Sequence, residues 1–154
     1  MIPRQTSVIL LSLTFLLLIS CSNHKTQSHV DGWSKVVLSG KTVEGNPPAT
    51  DFFDHSIPVP TDWEIFYVYA ANPECSFCIA SALKCYKTYL DSKTPEPFIF
   101  LLKSENNDLF FYYLKKEIES KPLTIESAEL DKIVEGLYVI KDGRVVSHKD
   151  WEML

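Results

Sequence analysis

One junction constrains the fold of this chain more than any other. Glu64-Ile65-Phe66-Tyr67-Val68-Tyr69-Ala70 is nearly continuous in apolarity and rich in β-branched and aromatic residues. That pattern predicts a strand covered on both faces. Asn72-Pro73 then turns the chain. Beyond it Phe77, Ile79, Leu83, Tyr86 and Leu90 recur at spacings of two, four, three and four, so Cys75 to Asp91 reads as an amphipathic helix. At the handover stand Glu74-Cys75-Ser76-Phe77-Cys78. A cysteine at a helix start meets unpaired N–H groups and the positive end of the macrodipole, which favour the thiolate. The thiolate is the species that attacks a disulfide, and a second cysteine one turn on can close a local bridge. The spacing therefore points to thiol-disulfide chemistry.

The rest of the domain repeats this alternation. Lys35-Val36-Val37-Leu38, Ser39-Gly40 and a weak run through Val43 are compatible with a hairpin. Gly45-Asn46-Pro47-Pro48 breaks the chain, and Asp51 to Thr61 reads as irregular, anchored on the core by Phe52 and Phe53. After Pro95 and Pro97, Phe98-Ile99-Phe100-Leu101-Leu102 predicts a second buried strand. Ser104, Asn106, Asn107 and Asp108 offer capping residues for a helix whose apolar stripe is Leu109, Phe110, Tyr113, Leu114 and Ile118. The aromatic run 110–113 points all round that helix, two rings inward and two outward. Leu123 to Val134 fits a short strand followed by a turn of helix. Leu137 to Ile140, Asp142-Gly143 and Arg144 to His148 form a hairpin, since Asp-Gly between β-rich runs is a strong turn signal. Strands joined by helices run parallel with right-handed crossovers, and the hairpin adds antiparallel strands. The expected fold is α/β: a mixed sheet flanked by helices, with an N-terminal β extension and no full C-terminal helix.

The N-terminus reads as a targeting segment. Arg4 precedes Val8 to Ile19, an uncharged and mostly apolar run ending in Leu18-Ile19-Ser20-Cys21. This describes a secretory signal peptide, and the run is shorter than the roughly 20 residues of a transmembrane span. The four residues resemble a bacterial lipobox, which implies lipid attachment to Cys21 and cleavage before it. Otherwise Cys21 is incidental to a plain signal peptide or an anchor. The expected organisation is 1–20 signal peptide, 21–32 lipidated cysteine and polar tether, and 33–154 one folded domain. Cleavage removes Arg4 and no acid, taking the formal charge from −5 to −6. A mildly acidic domain has no electrostatic footprint for nucleic acid, and no basic cluster suggests adhesion to anionic lipid. With Cys21 acylated, Cys75, Cys78 and Cys85 remain, a count that fits one reactive pair plus a spare rather than a disulfide scaffold. Cys85 lies seven residues beyond Cys78, a rise of about 10 Å in one helix, too far for a bridge. Zinc would need a fourth ligand, and His55 or His148 could supply it only through the fold.

The apolar strand running into the Cys-x-x-Cys helix, together with the closing hairpin at Lys141-Asp142-Gly143, resembles the thioredoxin-like superfamily, more narrowly the lipid-anchored thioredoxin-like proteins of Bacteroidetes. The resemblance covers Trp63 to His148. It implies Cys75 as the attacking cysteine, Cys78 as the resolving one and no cofactor or metal. The implied partners are protein thiols or disulfides of the cell envelope, a separate reductant, and a membrane reached through the lipid on Cys21. The implied location is the periplasmic face of the envelope, and Ser22 in place of aspartate points to the outer membrane. The chain departs from the pattern of the family it resembles at three places. Glu135, or Gly136 one residue on, stands where a proline precedes the hairpin; Glu74 stands where a tryptophan is common; Tyr69 lies at about the place of a buried acid. Glu74 and Glu135 are therefore candidate modulators of the pair. The segment Trp33 to Thr61 is expected to cover the sheet face that a last helix would otherwise occupy. The alternative to an oxidoreductase is a non-catalytic thioredoxin-like binding module of the envelope with a structural disulfide.

Overall fold

A computed structural model describes residues 32–58, 62–104, 106–120, 122–126 and 132–150. The signal peptide, Cys21 and the tether up to Asp31 lie outside the described residues. So does part of the stretch 123–134. In chain order the elements are α1 (Gly32–Leu38), β1 (Lys41–Thr42), α2 (Ala49–Phe52), β2 (Ile65–Ala71), α3 (Ser76–Ser92), β3 (Phe98–Leu102), α4 (Asp108–Glu117), β4 (Leu123–Glu126), β5 (Gly136–Lys141) and β6 (Arg144–Asp150). Among the described residues no helix is long and apolar enough to cross a membrane.

The strands form one mixed sheet in the order β1-β6-β5-β2-β3-β4. β2, β3 and β4 are parallel neighbours, and β5 and β6 return antiparallel. Both crossovers, through α3 and through α4, step in the same direction across the sheet. Right-handed connections then put both helices on one face. There Tyr67, Tyr69 and Ala71 of β2 pack with Ile79, Leu83 and Tyr86 of α3, with Phe110 and Leu114 of α4, and with Trp33 of α1. The alternate residues Phe66, Val68 and Ala70 face the other side, where Ala49 of the single-turn α2, Phe53, Ile57 and Ile133 cover them. β2 is thus covered on both faces, as its continuous apolarity predicts.

The hairpin expected over residues 35–43 is corrected. Lys35-Val36-Val37-Leu38 belongs to α1, and only Lys41–Thr42 is strand, paired with β6. The β-branched pair suggests strand, but Trp33, Val36 and Val37 stand at i, i+3 and i+4, and that spacing seats all three on the core. Residues 41–49 then run along β6 as the N-terminal β extension, with Val43 N–H donating to Val146 O and Val145 N–H to Pro47 O. Three stripe assignments also change. Phe77 is 60% exposed, and Leu90 and Leu109 are exposed too, because none of the three lies on the helical rows that meet the sheet. On α4, Phe110 and Tyr113 turn inward, Phe111 and Tyr112 outward. Asn107 takes the N-cap position without bonding a helix amide; its side chain bonds Ser104 O and Glu126 instead.

The closing hairpin turns through Asp142 and Gly143, whose φ values of 50° and 72° are those of a type I′ turn. A bulge between Val139 and Ile140 shifts the register beyond it. At the far end, Gly136 pairs with Ala70 and has a φ of 137°. A Cβ there would press on the Lys149 carbonyl oxygen and lie 2.7 Å from His148 Nε2. Backbone strain and overpacking act together, so Gly136→Ala is expected to cost about 2–5 kcal/mol. Urea denaturation with an unchanged m-value would measure it.

Candidate functional site

The site is built at the C-terminal end of β2, where the chain must turn from sheet to helix. Asn72 and Pro73 make that turn: Cys75 N–H donates to Asn72 O at 3.4 Å, and Glu74 N–H to Asn72 Oδ1 at 3.0 Å. Asparagine at the first turn position and proline at the second are suited to it. Cys75 is then the N-cap of α3, and its sulfur accepts the Cys78 amide at 3.2 Å. That contact takes the usual place of a capping oxygen, and it aims a helix N–H at the sulfur that would carry the thiolate. Cys75 and Cys78 form a disulfide across this first turn, with Cα atoms 5.2 Å apart. Cys75 is partly exposed and Cys78 buried, so the first cysteine is the one open to a partner.

Glu74 is exposed and accepts a hydrogen bond from Ser104 Oγ at 3.0 Å, tying the cysteine loop to the turn after β3. A carboxylate adjoining Cys75 opposes a second negative charge. In the reduced protein, Glu74→Gln is therefore expected to let the Cys75 thiolate form at lower pH. Thiolate absorbance against pH measures this, and superimposable curves for the two proteins exclude a role for Glu74.

On the α3 side of β2, Tyr69 is 1% exposed, and its hydroxyl has no hydrogen-bond partner among the described residues. Burial first, then the negative charges that Cys85 and Glu135 can carry, push its ionisation well above the ordinary phenol range. Cys85 is buried on the same side of the sheet, and desolvation drives its thiol far up despite the neighbouring Lys149 ammonium. Buried and held protonated, it has the character of a small apolar side chain. The buried Lys149 side chain bonds Ser39 Oγ at the end of α1.

Glu135 lies immediately before β5, next to the Gly136–Ala70 pair and so beside the C-terminal end of β2. Sequence reasoning named His148 only as a remote zinc ligand. The structure instead stacks it on Tyr138, with Nε2 at 3.2 Å from Glu135 O. Among the described residues no group of three or more His, Cys, Asp or Glu side chains is placed to hold a metal ion. A groove of about 450 Å³ runs between α3 and α4 from Ser76 to Lys87, floored by Ile79 and Leu83.

No protein family matches the sequence, and no curated protein does. Among solved structures the chain is similar to a thioredoxin-like protein from Bacteroides caccae ATCC 43185, with 14% identity and a TM-score of 0.41. The similarity covers 59% of this chain and 38% of that one.

Proposed function

We propose that the chain is an exported, lipid-anchored thiol-disulfide oxidoreductase of the cell envelope, with Cys75 attacking and Cys78 resolving. The observation that carries this reading is the disulfide at the first turn of α3, with its outer sulfur capped by the Cys78 amide. In the reduced protein the Cys75 thiolate attacks one sulfur of a substrate disulfide. A Cys75–substrate disulfide forms, and the other substrate sulfur leaves as a thiolate that takes up a proton. Cys78 loses its proton and attacks the Cys75 sulfur. The Cys75–Cys78 bridge closes and the second substrate thiol is released. The substrate gains two electrons and the protein loses two, so a partner dithiol must restore Cys75 and Cys78. The exchange calls for neither metal nor organic cofactor. Lipid on Cys21 would hold the domain at the outer membrane, facing the periplasm.

The reading is tested by poising the protein in glutathione buffers and measuring the potential of the pair. A potential within reach of the buffer, with a substrate trapped on Cys78→Ser, supports turnover. A potential below about −300 mV with nothing trapped leaves a structural disulfide in a binding module.

A further inference from the structure

Two successive backbone carbonyls beside the cysteine turn are gripped by a stacked pair of rings. Tyr138 Oη donates to Val134 O at 2.8 Å, and His148 Nε2 lies 3.2 Å from Glu135 O. The rings are 4.3 Å apart between centroids and 24° from parallel. Tyr138 is itself wedged against Phe52 and Phe53 on the sheet face opposite α3. The gripped carbonyls belong to the strap that enters β5. Gly136, the first residue of β5, pairs with Ala70, five residues ahead of Cys75. The strap therefore passes beside the end of β2 from which the chain turns into the disulfide. Only a residue without Cβ lets the backbone pass His148 so closely.

His148 stands between two oxygen acceptors. Its Nε2 meets Glu135 O, and its Nδ1 faces Asp150 Oδ1 at 3.4 Å. A neutral imidazole has one N–H, so it donates to one oxygen and turns a lone pair on the other. The protonated ring donates to both. The charged and titratable groups around it are Asp150 on its own strand, Lys41 on β1, and the Tyr138 phenol on β5, which burial keeps neutral. Asp150 favours the charged ring and Lys41 opposes it. Desolvation, with Lys41 acting the same way, outweighs the hydrogen bond to Glu135 O and the attraction of Asp150, and lowers its titration below the ordinary histidine value, so the neutral ring predominates at pH 7.

We propose that His148 is a positioning residue for the cysteine site: with Tyr138 it fixes the strap at residues 134–136, and its protonation completes the grip. The consequence for catalysis rests on the exchange reading above; the grip itself does not.

The test uses the full chain as wild type, His148→Gln and His148→Leu. Gln keeps a side-chain N–H donor but does not titrate; Leu removes the donor. The Gly136 amide resonance of wild type is expected to shift with an inflection below the ordinary histidine value, and Gln is expected to abolish that inflection. With a disulfide-linked peptide dimer as probe, Gln should keep the exchange rate at pH 7 within about twofold. Leu should lower it on the order of tenfold through misplacement of the strap. A Gly136 resonance indifferent to His148 ionisation overturns the proposal, as do equal rates for Gln and Leu in an active protein. A wild type with no exchange at all defeats the oxidoreductase reading instead, and the amide titration alone then decides the grip.

Discussion

Cys75→Ser is expected to abolish exchange with a disulfide substrate, by on the order of a thousandfold or more, as removal of a covalent nucleophile does. The two cysteines are unequal in ways that fix the outcome of each substitution. Cys75 is partly exposed, and its sulfur receives the Cys78 amide at the positive end of α3. Serine at 75 would cap the helix as well or better, so a lost rate would report chemistry rather than folding. Cys78 is buried behind it. Cys78→Ser should therefore still attack but fail to release, accumulating a mixed disulfide that mass spectrometry can weigh. Cys85→Ala supplies the control. Its thiol is buried, and desolvation holds it protonated, so exchange should stay within about twofold of wild type. Retained exchange in Cys75→Ser, or a mixed disulfide that forms on Cys85, would sink the assignment.

Trp33→Ala is expected to destabilise the fold by about 3–5 kcal/mol, the range for removing a large aromatic from a packed core. Trp33 is 2% exposed. Its ring meets Tyr67 edge-on at 4.8 Å, Tyr89 at 5.4 Å and Phe98 at 6.0 Å. Such pairs each add about 0.5–1.5 kcal/mol beyond area burial. Its indole N–H has no hydrogen-bond partner among the described residues, so the substitution strands no acceptor. The loss is one of packing alone. Leu38, at the other end of α1, is 77% exposed; Leu38→Ala should stay within about 0.5 kcal/mol. Urea midpoints for the two variants separate an α1 that belongs to the core from one that merely lies on it. Equal, small losses would mean that Trp33 leaves its pocket at little cost.

Much of the sheet was legible because its central strands are buried on both faces and leave a continuous apolar signal. β2, β3 and the β5–β6 hairpin stand where the sequence predicts them, and the Pro97 and Asp142-Gly143 boundaries are local backbone chemistry. α1 departs from the expected strand because the β-branched pair Val36-Val37 carries less weight than the Trp33, Val36, Val37 row that tertiary contact rewards. Phe77 was misread because an apolar residue near a helix start need not face inward.

His148 shows the limit most clearly. Counted back from the two-residue turn, a regular ladder pairs His148 with Leu137 and turns its ring towards α3. The bulge at Val139 and Ile140 shifts the register by one, pairs His148 with Tyr138 and puts Lys149 opposite Leu137. One extra residue exchanges the two faces of a strand.

The amino-acid sequence by itself determined the strand-to-helix handover at Cys75-Ser76-Phe77-Cys78, because apolar periodicity, a proline turn and a helix N-cap are all local. It also determined which cysteine comes first. Only the tertiary structure decided that Cys78 is shielded while Cys75 is open, that Cys85 and Tyr69 lie buried on the α3 side of the sheet, and that His148 Nε2 meets the Glu135 carbonyl oxygen. Those facts depend on burial and on inter-strand register. Both are set by contacts between residues far apart in the chain, and no local pattern encodes them.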